Sequence, residues 1–145
     1  MTRPDPAERR RAREAALQML YQWEVGRAGP YEVVATYWPS RESNEDISEE
    51  LRAFANALVK GTIERVAEID ELLSARAHNW RIERMAAIDR LVLRLAVFEL
   101  LSAPATPPKV VINEALELTR TFSSDEAVAF VNGVLDAVRK DLKEK

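Results

Sequence analysis

From Ile88 to Leu101 the chain reads IDRLVLRLAVFELL, and wound into a helix this stretch is apolar nearly all the way round. Such an element cannot lie on a surface: neighbours must cover it on several sides, so the remainder of the chain has to supply amphipathic partners. It supplies helices. Apolar residues recur at spacings of three and four from end to end, no stretch alternates apolar with polar, and only four glycines occur in 145 residues. The fold class expected is therefore all-α. With 47% apolar and 31% charged residues the composition is that of a folded globular protein. No run approaches the roughly 18 apolar residues that span a bilayer, and arginines stand where a signal peptide needs an apolar core, so the cytoplasm is expected and no membrane partner.

Capping and breaking residues set the expected boundaries. The first helix opens after Pro6 and runs to about Val25, where the cluster Gly26 to Pro30 stops it. Tyr31 to Trp38 reads as a short helix ended by Pro39; its Val33, Val34, Tyr37 and Trp38 would also suit a strand, but no partner strand is visible. Asp46 and Glu49 have the spacing of a capping box. They open a long helix whose stripe is Leu51, Phe54, Ala55, Leu58, Thr62, Val66, Ile69 and Leu73, with Gly61 as a possible bend. A short helical piece is expected over Trp80 to Met85, then the buried helix. Thr106 with Pro107 suits an N-cap and first-turn proline for the helix carrying Val110 to Arg120. Ser123 and Glu126 form a second capping box before a last helix striped by Ala127, Phe130, Val131, Val134, Leu135 and Val138. A division is expected near His78, giving helical halves 1–78 and 79–145; each half is near the size at which a lone core is marginal, so they should act as one domain.

Most chemistry is excluded. There is no cysteine, hence no disulfide, thiolate nucleophile or cysteine-bound metal. The glycines, Gly26, Gly29, Gly61 and Gly133, fit neither the Walker nor the dinucleotide spacing. His78 is the single histidine, so a metal site would need carboxylates alone; adjacent acids such as Asp70 and Glu71 point apart on a helix and read as solvated surface. No catalytic residue, metal or cofactor is expected. Within the buried helix Arg94 is costly unless paired, and Glu114 is the expected partner. Gly133, inside the last helix, suggests a close helix–helix approach.

Net charge is only −3, so any affinity for nucleic acid must come from local asymmetry. That asymmetry sits at the start, where Arg3, Arg9, Arg10, Arg11 and Arg13 face only Asp5 and Glu8 across thirteen residues. At about 100° per residue the first helix gathers Ala12, Ala15, Ala16, Met19, Leu20 and Trp23 on one arc and Arg10, Arg11, Glu14, Gln18 and Tyr21 on the other. Arginines aligned with an exposed aromatic suit single-stranded RNA, because phosphates attract cations and unstacked bases stack on flat π surfaces. A solvated, charged helix start accounts for the same pattern equally well. Phe130, read from its stripe alone, is core.

RRRAREAALQMLYQWE (Arg9 to Glu24), IDRLVLRLAVFELL, PPKVVINEALELTR and FVNGVLD (Phe130 to Asp136), in this order and spacing, resemble the NusB family over nearly the whole chain. At Phe122 and Ser123 the chain departs from the family's usual Phe-Gly. The resemblance implies two packed bundles of about three helices each, and a non-catalytic transcription antitermination factor. It also implies binding to boxA-type single-stranded RNA in nascent ribosomal RNA, together with the small-subunit ribosomal protein NusE, other Nus factors and RNA polymerase, with a homodimer possible in the free state. By position it implies RNA contact for Arg9, Arg10, Arg11, Arg13, Tyr21 and Phe130, and a partner-facing role for Asp89, Arg90 and Glu126. Two alternatives belong to other classes: the detached NusB-like domain of an rRNA cytosine methyltransferase, and a helical scaffold with no RNA role.

Overall fold

A computed structural model of the chain describes residues 6–40, 48–76, 84–102 and 106–143. The described residues form helices and no strand: α1 (Pro6–Glu24), α2 (Pro30–Ser40), α3 (Glu49–Glu64), α4 (Val66–Arg76), α5 (Ala87–Ser102), α6 (Pro108–Phe122) and α7 (Asp125–Lys143). The chain divides into two compact units, Met1–Ile63 and Glu64–Lys145. The division lies upstream of residue 78 because α4 packs on α5 and α7 and so belongs with the second unit.

In the second unit α5 is the element the others cover. Helices α4, α6 and α7 all pack on it, and Leu91, Val92, Leu93 and Val97 are wholly buried. Each such side chain contributes roughly 1.5–3 kcal/mol relative to exposure. Arg94 lies in the same buried run, 8% exposed. Its guanidinium donates in parallel to the two carboxylate oxygens of Asp70 on α4, at 2.8 and 2.9 Å. The fork of Arg94 is thus met by Asp70, a residue whose neighbourhood in sequence reads as solvated surface and which the sequence reading did not put forward as a partner. A second pair, Arg76 with Asp141, ties α4 to α7.

In the first unit α1 packs on α2, and Ala15, Ala16, Met19 and Leu20 of α1 and Val33 and Tyr37 of α2 are buried. Tyr37 Oη donates to Gln18 Oε1 at 2.7 Å, and Trp38 Nε1 donates to Asn56 Oδ1 on α3 at 2.9 Å. Polar atoms of large side chains are thereby satisfied as those side chains leave water. The segment Pro30–Ser40 is helical, so the strand alternative is discarded.

Several boundaries differ from expectation by one or a few residues. Gly61 is not the bend; the non-helical residue is Arg65, between α3 and α4, while Leu51, Ala55, Leu58, Thr62, Ile69 and Leu73 keep their buried stripe. Ser48 caps α3 through its Oγ to Leu51 N, and Asp46 lies outside the described residues. Helix α6 has Pro107 as its N-cap and Pro108 inside its first turn, one position later than expected. Ser124 rather than Ser123 caps α7, accepting from Ala127 N at 3.1 Å. Ser123 has φ −126°, outside the left-handed region that would call for glycine, so serine replaces the family's usual glycine there without strain. Among the described residues Gly133 meets nothing within 4 Å of where a Cβ would stand, so the expected close helix approach is not found there. Trp80 and His78 lie outside the described residues.

Candidate nucleic-acid interface

Helix α1 presents two different cationic faces. Arg10 and Arg11 are exposed, and Tyr21, eleven residues further on and therefore about 16 Å along the axis on nearly the same azimuth, is 41% exposed. These three occupy the water-facing side that the wheel assigns them. Arg13 does not. It is 2% exposed, and its guanidinium lies 5.4 Å from the ring centroid of Phe54 on α3. Arg9, half-buried, lies over the same ring at 5.2 Å. The side chain of Arg13, expected by family position to contact RNA, is thus buried in the unit with an aromatic face among its neighbours. A sequence signal for this exists in retrospect. Arg9, Arg13, Leu17 and Leu20 follow one another at spacings of four, four and three, so the first two share the azimuth of leucines that are fully buried.

Phe54, which the sequence reading places only in an apolar stripe, is thus the residue that organises the arginine-rich start. Its ring holds two guanidinium groups, which fixes the first turns of α1 and leaves Arg10 and Arg11 pointing outward. A charge over a π face is worth about 0.5–2 kcal/mol depending on desolvation, enough to order a helix start that would otherwise fray.

The remaining candidates lie in the second unit. Phe130 is half-buried on α7, and Glu126 is exposed in the first turn of that helix. Asp89 stands in the first turn of α5, where its charge favours the helix dipole, and its Oδ1 is buried without a hydrogen-bond partner among the described residues. Arg90 is half-buried and donates through Nη1 to the carbonyl oxygen of Met85 at 3.0 Å, closing the chain entry to α5. Among the described residues no cluster of three metal-ligating side chains occurs, and no helix is long and apolar enough to cross a membrane.

Cations and an aromatic displayed on a helix, over a core made of helices alone, define the class of small all-helical binding proteins. Residues 10–140 match the NusB family. The chain is 48% identical to the transcription antitermination protein NusB of Koribacter versatilis, over 92% of this chain and 90% of that protein. It is 47% identical to the NusB of Sorangium cellulosum, over 90% of each. Among solved structures, NusB of T. maritima superposes with a TM-score of 0.81 at 31% identity, covering 97% of this chain and 94% of that one. A structure of antitermination factors NusB and NusE in complex with double-stranded RNA matches at TM-score 0.81 and 28% identity, over 93% and 98%. This chain belongs to the NusB family, a family of antitermination factors and not of enzymes.

Proposed function

We propose that this chain is a transcription antitermination factor that grips unpaired boxA-type RNA on the outer face of α1 and carries it, together with NusE, to RNA polymerase and the other Nus factors on ribosomal RNA operons. The observation that carries the reading is the exposed line of Arg10, Arg11 and Tyr21 on one helix face, in a chain whose homologue forms a complex with NusE and RNA. The arginines neutralise phosphates and the tyrosine offers a surface on which a base stacks. Arg9 and Arg13 serve this face indirectly, by anchoring α1 on Phe54. Phe130 is assigned to RNA contact, and Asp89, Arg90 and Glu126 to the protein partner, on family position; the exposure of Glu126 agrees with that role. One compact RNA-binding domain of two helical units is the organisation proposed.

The test is a titration of a boxA-like single strand and of the corresponding duplex, at several salt concentrations, with and without NusE. Affinity is expected to fall steeply with salt and to rise when NusE is added. The Arg10→Ala, Arg11→Ala double variant should flatten the salt slope by about 1.4, two phosphate contacts at roughly 0.7 each for a single strand. An unchanged slope removes α1 from the RNA interface. Preference for the duplex would replace unpaired RNA as the ligand, and absence of any effect of NusE would remove the shared-loading mechanism.

A further inference from the structure

In the second unit a groove of about 620 Å³ opens at the end where α5 and α7 finish and α6 begins. Its floor is aliphatic, from Leu100, Pro107, Pro108 and Leu142, and its rim is cationic, from Lys109, Arg139 and Lys143. The volume falls within the range of sites that hold a ligand or an anchoring side chain. A neighbouring groove shares Leu142 and has the opposite rim, Glu68, Glu71 and Asp141, but there Glu68 is bonded by Arg65 at 2.9 and 3.0 Å and Asp141 by Arg76. The acidic rim is largely compensated from within. On the basic rim the one ion pair among the described residues is the loose contact of Arg139 with Asp136, at 3.8 Å; Lys109 and Lys143 enter none. Two charges are thus left facing solvent around an apolar floor, a combination that calls for an anionic, apolar-centred occupant.

We infer that this groove is a docking site for a protein partner of the antitermination assembly, entered by an apolar side chain flanked by carboxylates on one short segment. Leu100 and Leu142 would cover the apolar anchor while Lys109 and Lys143 pair with the acids on either side. RNA is the less suitable occupant, because the described lining residues include no aromatic ring for a base to stack on and no side-chain acceptor to read a base edge. The partner's place in the assembly rests on the function proposed above; the groove's own chemistry does not.

The full-length chain with the double charge reversal Lys109→Glu, Lys143→Glu tests this. Both residues are exposed at helix ends and outside the core, so folding is preserved. Three measurements are made against the unaltered chain: boxA RNA binding by the chain alone, without any protein partner, read-through of a terminator in a transcription extract, and binding of a synthetic peptide with one leucine between aspartates, followed by amide shifts of Leu100, Lys109 and Leu142. Expected are unchanged RNA binding, at least a tenfold loss of read-through, and peptide shifts at the groove that disappear in the variant. Full read-through by the variant overturns the inference. A loss of RNA binding equal to the loss of read-through also overturns it, by making the groove a nucleic-acid surface. Absence of read-through by the unaltered chain would instead count against the proposed function, while groove shifts with the peptide would still support the site.

Discussion

Each unit of this molecule buries an arginine, one beside an aromatic ring and one beside a carboxylate. In the first, Arg13 is 2% exposed and lies, with Arg9, over the ring of Phe54. In the second, Arg94 is 8% exposed and forms a two-pronged pair with Asp70. A carboxylate neutralises the charge it meets, so the pair around α5 is electrically closed and purely structural. A π face attracts a cation without cancelling it. Phe54 thus helps to anchor the arginine-rich start of α1 without itself cancelling the charge.

The largest expected effect breaks the second arrangement. Asp70→Ala removes the carboxylate that takes two prongs of the Arg94 fork and should lower stability by about 2–3 kcal/mol, read as a drop in the urea midpoint; the lower end is expected because Asp70 keeps 30% of its side chain in water. Adding Arg94→Met should recover much of that loss, since a buried charge deprived of a bidentate carboxylate is what costs; a double variant as unstable as the single one would show that packing, not charge, governs the site.

A smaller effect sharpens the contrast from the other side. Phe54→Leu keeps an apolar residue but removes the ring, and should cost about 1 kcal/mol in stability. It should also weaken RNA binding with little change in salt slope, because Arg10 and Arg11 remain while their helix is less firmly held. A full loss of slope would mean that Arg9 and Arg13 contact phosphate directly. The smallest effect concerns α7. Gly133→Ala has open space around its new methyl group and should stabilise the chain by up to about 1 kcal/mol through helix propensity alone. Weaker binding of NusE or RNA by this more stable variant would mark the face bearing Gly133 as one that a partner approaches closely.

Much of this was legible along the chain because helix formation is local. The all-round apolar stretch that became α5, the stripe from Leu51 to Leu73, and the outward placing of Arg10, Arg11 and Tyr21 all follow from periodicity that operates within a few turns. Capping was legible in kind but not to the residue: Ser124 took the role expected of Ser123, since adjacent serines compete for the same orphan amides. The burial of Arg13 could have been read from its register with Leu17. Asp70 could not, since it and Arg94 are 24 residues apart and only the packing of α4 on α5 brings them together.

Sequence by itself determined that the chain is helical, which helix must be central, which family it belongs to, and that the opening helix is cationic. Tertiary structure decided which of those cations stay in water, which acid closes the pair in the core, and that α4 joins the second unit. The reason is that a helix sets the direction of its side chains within one turn, whereas the partner each side chain meets is chosen by the packing of elements distant in sequence.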